Sequence, residues 1–330
     1  MPHPDRRALA ALHAMPSIAF AHYPTPVEDA PRLRAAMGGG PRLLIKRDDA
    51  ISFGFGGNKV RKLEMVGARA QADGADLLIT TGGVQSNHCR VTAAVAVRLG
   101  MRCVIVANGA APDRLSGNAL LDSMYGAEVR YVASREDRAP AMEETASAWR
   151  AHGGRPFVIP LGASTPLGAL GFVRAVGEMV EQLPAPPDYI FHSTSSGGTQ
   201  AGLVAGCALH GITTRVIGIS ADQTAAGIQS TVAGIIEGVG TLLGIDGLAL
   251  AASCAVEADD RFVGDGYGVP SAASRQAQAL LAGTEALVVD HTYTAKALAG
   301  MIGWIRDGRI EADATVLFWH TGGQVGIFAI

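Results

Sequence analysis

The chain has 330 residues, a formal net charge of −3, and 48% hydrophobic against 17% charged residues. That length suits about two domains or one large α/β unit, and the apolar share excludes a disordered protein. The 42 glycines follow no G-X-Y period, which excludes collagen, and the lack of a basic surplus argues against a nucleic-acid binder. No apolar run reaches the roughly 18 residues that a transmembrane helix needs, so no membrane partner is expected. Arg6 and Arg7 ahead of Ala8 to Ala14 faintly resemble a secretory signal. That stretch is weakly hydrophobic, contains His13 and runs into Pro16, so a cytoplasmic protein is expected. Cys89, Cys103, Cys207 and Cys254 form no C-x-x-C pair and read as reduced, mostly buried thiols.

Along the chain, short apolar runs alternate with helical patterns. Leu43 to Lys46 reads as a strand, and Lys59 to Ala72 as a helix with Val60, Leu63, Val66 and Ala70 on one face. Asp76 to Thr81 is a strand, Ser86 to Leu99 a helix, Arg102 to Ala107 a strand and Gly117 to Tyr125 a helix. Glu128 to Val132 and Phe157 to Pro160 are strands around the helix Asp137 to His152. In the second half, Tyr189 to Ser193, Val216 to Ser220, Ala286 to Val289 and Thr315 to Trp319 read as strands. Leu167 to Gln182, Gly198 to His210, Ser271 to Leu281 and Ala295 to Asp307 read as helices. The Pro-rich Leu183 to Asp188 reads as a helix-to-strand turn rather than a hinge. Apolar strands alternating with helices imply an α/β fold with parallel sheet covered on both faces. Such sheets place ligands beyond the carboxyl ends of their strands.

Three loops fall at such places. Gly54-Phe55-Gly56-Gly57-Asn58-Lys59 turns into a helix, so Lys59 sits at the helix start with Lys62 one turn on. The positive end of the helix dipole disfavours a charged amine there and helps make a neutral nucleophile. The alternative is a glycine turn followed by two solvated lysines. Ser195-Ser196-Gly197-Gly198-Thr199 follows a strand and opens a helix, which makes an anion cradle best suited to phosphate. Its alternative is an ordinary capped helix. Gln85-Ser86-Asn87-His88 also follows a strand, and Ser86 or Asn87 would cap the next helix in the plainest reading. No His, Cys or carboxylate cluster has metal-ligand spacing, so no metal is expected. A phosphate cradle and a helix-start lysine together point to pyridoxal phosphate.

Lys46-Arg47-Asp48-Asp49 followed by Gly56-Gly57-Asn58-Lys59-Val60-Arg61-Lys62-Leu63-Glu64 resembles the D-cysteine desulfhydrase and 1-aminocyclopropane-1-carboxylate (ACC) deaminase family. The resemblance continues through Gln85 to His88, Ser196 to Gly202, Gly266 to Pro270, Tyr293 to Ala297 and His320 to Gly323. It implies a fold-type II, tryptophan-synthase-β-like pyridoxal phosphate enzyme of two three-layer α/β/α domains, with the cofactor in the cleft between them. The larger domain would hold residues 1–57 and 161–330, the smaller one residues 58–160. Carried over, Lys59 links the cofactor and moves the substrate α-proton. Asn58, Asn87, Ser195, Ser196, Gly197, Gly198 and Thr199 hold the cofactor, with Lys62 as counter-charge and Thr321 at the pyridine nitrogen. Ser86, Asn87, His88, Tyr267, Tyr293 and Thr294 contact the substrate, and Ser86, Tyr267 and Tyr293 share the catalysis. Thr294, His88 and the His-Thr-Gly-Gly run ending at Gly323 favour the desulfhydrase branch over the deaminases. The reaction implied is β-elimination from a small amino acid, foremost D-cysteine. ACC deamination, L-cysteate sulfo-lysis, racemisation and a catalytically silent cofactor-binding protein are the alternatives. The resemblance also implies a homodimer.

Overall fold

The structure, a computed structural model, describes residues 3–329. Helix α1 (Arg6–Ala14) is capped by the Asp5 carboxylate, and Ala8 and Leu12 are buried in the core. Arg174 donates to the carbonyls of Leu12 and Met15 at 3.0 and 2.7 Å, so the stretch that faintly resembles a signal is a docked helix. The chain continues through β1 (Val27–Asp29), α2 (Pro31–Ala36), β2 (Arg42–Arg47) and α3 (Asn58–Ala72). Next come β3 (Leu77–Gly83), α4 (Asn87–Leu99), β4 (Arg102–Asn108), α5 (Gly117–Met124), β5 (Glu128–Val132), α6 (Arg138–Ala151) and β6 (Pro156–Val158). The rest comprises α7 (Pro166–Gln182), β7 (Tyr189–Thr194), α8 (Gly198–Leu209), β8 (Arg215–Ser220), α9 (Ala225–Leu242), α10 (Gly247–Ser253) and β9 (Glu257–Asp259). It ends with α11 (Ala272–Glu285), α12 (Thr294–Arg306) and β10 (Thr315–His320).

Two sheets form. One has six strands in the order β1-β2-β10-β7-β8-β9, the other four in the order β5-β4-β3-β6. All pairings are parallel except the edge pair of β1 with β2. Side chains alternate across each strand, and both faces are covered. Leu44, Leu317 and Trp319 face α7, α8 and α9, whereas Leu43, Ile45, Val316 and Phe318 face α11 and α12. In the smaller sheet, Leu78 and Ile105 pack under α3 and α4, and Leu77, Ile79 and Val104 under α6. Val60, Leu63, Val66 and Ala70 of α3 all enter the same core, as their spacing predicts.

One expected strand is absent. Ala286 takes a left-handed conformation (φ 55°) as the C-cap of α11, and the run to Val289 is a loop. Val289 is buried in the core, but its carbonyl accepts from Gln278 Nε2 at 2.6 Å rather than from a strand. Residues 183–188 form the turn from α7 to β7. Helix α9 carries four glycines and escapes the periodicity reading; Thr224 caps it by accepting from the Gly227 amide at 3.2 Å.

Candidate active site

The carboxyl ends of both sheets face one another across a cleft of about 390 Å³. Gly82, Gly83 and Asn108 come from β3 and β4, and Gly162 from the turn after β6. Ser193, Thr194, Asp222 and Thr321 come from β7, β8 and β10 or the turns just after them. This is where parallel strands leave their backbone groups open and helices begin.

Lys59 enters the cleft from the first turn of α3. Burial lowers its amine to a pKa of about 8, against weaker opposing contributions from Lys62 and Cys89. Burial and the neighbouring Lys59 push Lys62 far below the ordinary lysine value. Lys62 is wholly buried; its Nζ donates to Gly162 O and Ser164 Oγ, both at 3.2 Å. These are therefore not two solvated lysines. Among the described residues neither amine pairs with a carboxylate, so two amines crowd a site lined by neutral oxygens and amides. Such a pair is stabilised by an anion.

The turn at residues 195–199 lies beside them. The strand β7 ends, Gly197 turns with φ 78°, and α8 begins at Gly198. A Cβ on Gly198 would lie 2.7 Å from Ser164 Cα and 2.9 Å from Lys62 Nζ, so only glycine fits there. Ser196 Oγ bonds Ser164 Oγ at 2.7 Å, and Thr199 Oγ1 accepts from Asn58 Nδ2 at 2.9 Å. Ser195 faces differently: its hydroxyl donates to Asp222 Oδ1 at 2.7 Å. The turn before α3 is locked to the end of β10, since the Asn58 amide donates to Thr321 O at 3.0 Å. Thr321 Oγ1 lies 3.2 Å from Ser193 Oγ at the cleft wall.

Ser86 caps α4 by accepting from the Cys89 amide at 3.3 Å and also lines the cleft, so the capping role does not take it out of the cleft wall. Asn87 begins that helix, at the positive end of its dipole. His88 is buried, and burial with the two lysines holds it far below the ordinary histidine value, hence neutral. Its Nε2 lies 2.7 Å from Thr80 Oγ1, whose single proton goes to Ile159 O at 2.9 Å. The imidazole therefore carries its proton on Nε2, and its other nitrogen, Nδ1, is only an acceptor. A substrate carboxylate would find no donor on it. Tyr267 and Tyr293 bond hydroxyl to hydroxyl, with rings edge to face at 5.7 Å. Burial raises both phenols, Tyr293 the further, so both stay protonated at neutral pH.

Thr294 is not in the cleft lining. It is wholly buried, and its Oγ1 donates to Asp290 Oδ1 at 2.7 Å while accepting from the Asp290 amide at 2.8 Å. Asp290 also accepts from the amides of Thr292, Tyr293 and Thr294, each at 2.9 Å. The residue after the second tyrosine is thus spent on starting α12, and the assignment of Thr294 to the substrate is corrected. Arg135, Arg138, Asp222 and Ser164 belong to the site without any motif to announce them. Asp222 and Ser164 follow β8 and β6, where the carboxyl-end rule could have found them. Lys296, within the Tyr293 to Ala297 run, donates to Val263 O at 2.8 Å and Gly266 O at 2.7 Å and so holds the loop bearing Tyr267.

A family model described as pyridoxal-phosphate dependent enzyme matches residues 18–322, and the chain belongs to that family. Within it, the chain is 36% identical over 329 residues to a D-cysteine desulfhydrase of Klebsiella pneumoniae (strain 342), covering 98% of each. The crystal structure of an ACC deaminase homologue matches with a TM-score of 0.89 at 34% identity, covering 98% of this chain and 96% of that one. A fungal L-serine ammonia-lyase from Rhizomucor miehei shares the fold, with a TM-score of 0.68 at 19% identity over 94% of this chain and 96% of that one. The chain is therefore a relative of D-cysteine desulfhydrase and ACC deaminase, a pyridoxal-phosphate dependent lyase. Its own residues fit that cofactor. The uncompensated lysine pair faces a glycine cradle closed to any Cβ, and Thr194 Oγ1 in the cleft wall is buried with no partner among the described residues.

Proposed function

We propose that this enzyme removes a thiol group from Cβ of a small amino acid, and that D-cysteine is its substrate. Cysteine and water would give hydrogen sulfide, pyruvate and ammonia. The observation that carries the reading is the pairing of the cleft lysine Lys59 and the wholly buried Lys62, neither with a carboxylate partner among the described residues, with a hydroxyl, Thr321, just after β10 in the cleft.

Bound pyridoxal phosphate supplies a sink for the negative charge that develops at the substrate Cα. The chain does the rest. Ser196 to Thr199 and Lys62 hold the phosphate, and Asn58 braces Thr199. Asn87 meets the ring hydroxyl and Thr321 the pyridine nitrogen. A hydroxyl does not protonate that nitrogen as a carboxylate can, which suits a substrate whose Cβ substituent leaves readily. Ser86 and the amides opening α4 bind the substrate carboxylate. The Lys59 amine, its pKa lowered to about 8 by burial, takes the Cα proton. Tyr267 and Tyr293 hold a proton for the departing sulfur.

The site lies between a larger domain of residues 1–57 and 161–330 and a smaller one of 58–160; the two separate sheets support that division. Helix α3 joins them, since it packs on α7 as well as on α4. A homodimer in the cytoplasm completes the reading. Met124 and Phe328 are 71% and 73% exposed on segments that pack together, which supports a partner surface there.

A second reading, sulfo-lysis of L-cysteate, draws on Arg135 and Arg138, which line the small-domain side of the cleft. Arg138 has no carboxylate partner among the described residues and offers charge to a sulfonate. Sulfide and pyruvate release from D-cysteine, L-cysteine, L-cysteate and ACC, offered side by side, decides. Sulfide from D-cysteine alone supports the first reading, and sulfite from L-cysteate alone the second. Turnover of ACC alone overturns both.

A further inference from the structure

Arg90 lies on α4 one turn after Asn87 and is wholly buried. Its Nη1 donates to Asn87 Oδ1 at 3.0 Å and Asn118 Oδ1 at 2.8 Å, and its Nη2 to Gly56 O at 2.8 Å. None of these partners is a carboxylate, and Nε has no partner among the described residues. Burying a guanidinium on neutral acceptors is costly, and an apolar side chain would fill the same space at less cost. Its chemistry, rather than its volume, explains it.

The guanidinium only donates, so the Asn87 atom facing it must be the amide oxygen. That orientation follows from the chemistry of arginine, which has no acceptor to meet an amide N–H. Asn118 Nδ2 donates to the same oxygen at 3.0 Å, and Arg90 fixes Asn118 in turn through its Oδ1. Gln85 closes the frame, accepting from the Asn118 amide at 2.8 Å and donating to Ser116 O at 3.0 Å. Both acceptor positions of Asn87 Oδ1 are thereby filled. What Asn87 offers the cleft is its N–H pair, with a buried positive charge behind it. Through Gly56 O the same guanidinium also holds the turn that delivers Lys59.

We propose that Arg90 is a positioning residue that keeps the cofactor's ring hydroxyl ionised, by turning the Asn87 N–H toward that oxygen and by its own buried charge. The inference rests on the reading above that Asn87 meets the ring hydroxyl. Burial lowers the Arg90 pKa to about 10, which still leaves it charged at neutral pH.

The test is a spectral pH titration of reconstituted holoenzyme carrying Arg90→Met, Arg90→Lys, Asn118→Ala or Asn87→Ala, with cofactor content and circular dichroism measured alongside. In Arg90→Met the visible band of the ionised hydroxyl gives way to the near-ultraviolet band of the protonated form. The transition moves up by about 1–3 pH units, as for loss of a nearby positive charge. Arg90→Lys recovers part of the band, and Asn118→Ala moves it less, because the charge remains. If Arg90→Met does not fold, Arg90→Lys and Asn118→Ala carry the test against Asn87→Ala. If Asn87→Ala moves the band while the folded, loaded Arg90 and Asn118 variants do not, the positioning role is overturned. If Asn87→Ala itself leaves the band in place, the ring hydroxyl is not at Asn87, and both that placement and this inference fall.

Discussion

Arg61 grips both oxygens of the Asp48 carboxylate, Nη2 to Oδ1 at 2.7 Å and Nε to Oδ2 at 2.9 Å, with neither group open to solvent. Thr25 and Trp319 donate to the same carboxylate at 3.0 and 2.8 Å. Glu178 on α7 accepts from Arg61 and from Lys46. The Lys-Arg-Asp-Asp run at 46–49 thus contributes Lys46 and Asp48 to a buried frame that pins α3, and with it Lys59, to the larger sheet. The frame balances two cations against two carboxylates, so removing one member leaves one buried charge in excess.

Asp48→Ala should therefore lower stability by about 3–5 kcal/mol, read from the urea midpoint. Protein still folded should keep the cofactor's absorbance, because Asp48 is not in the cleft lining. A loss below about 1 kcal/mol would make the pair ornamental.

Lys59→Ala should abolish the visible absorbance of the cofactor–lysine linkage together with turnover. The pH dependence follows from the lowered amine. Free pyridoxal phosphate added to the apo-protein should form the linkage faster as pH rises through about 8, where the neutral amine appears. The unfolded chain keeps this lysine protonated up to about pH 10.4, so it binds more protons than the folded one in between. Apo-protein stability should accordingly rise with pH in that window. A loading rate that keeps climbing only above pH 10 would contradict the lowered amine.

Lys62→Met should act in opposite directions on two measurements. Cofactor binding should weaken by about 10- to 150-fold, the loss of one charged hydrogen bond. The apo-protein should melt higher, because a buried amine with no anionic partner is replaced by a group that packs. Equal loss of both would show Lys62 to be a support of the fold rather than an anion site.

Tyr293→Phe should lower kcat by about 10²- to 10⁴-fold, the range for a lost general acid, with little change in KM. Lys296→Met tests the same hydroxyl pair from behind. Freed from Val263 O and Gly266 O, the loop carrying Tyr267 should loosen, so kcat falls and KM rises together. An unchanged KM in Lys296→Met would show that the loop is held by other contacts.

Most helices and strands were legible in the sequence because each repeats its apolar residues at a period that one buried face requires. Val60, Leu63, Val66 and Ala70 show this on α3. The run at 286–289 misled because a short apolar stretch is equally at home in a buried loop. Lys59, the Ser-Gly-Gly-Thr cradle and Thr321 were legible because each sits in an ordered motif. Arg90, Ser164 and Asp222 were not, since they reach the site or its supports from separate turns and helices with no shared spacing.

The sequence by itself determined the alternation of strand and helix, the lysine at a helix start, the Ser-Gly-Gly-Thr turn that opens α8 and the family. These are local patterns, set by side-chain period, turn chemistry and motif order. Only the tertiary structure decided that Lys62 is buried with no carboxylate beside it among the described residues, that Thr294 serves Asp290 instead of the cleft, and that Arg90 bonds the amide oxygen of Asn87. Each of these depends on which hydrogen-bonding and charged groups meet across the folded chain, and burial then sets their protonation and their one permitted orientation.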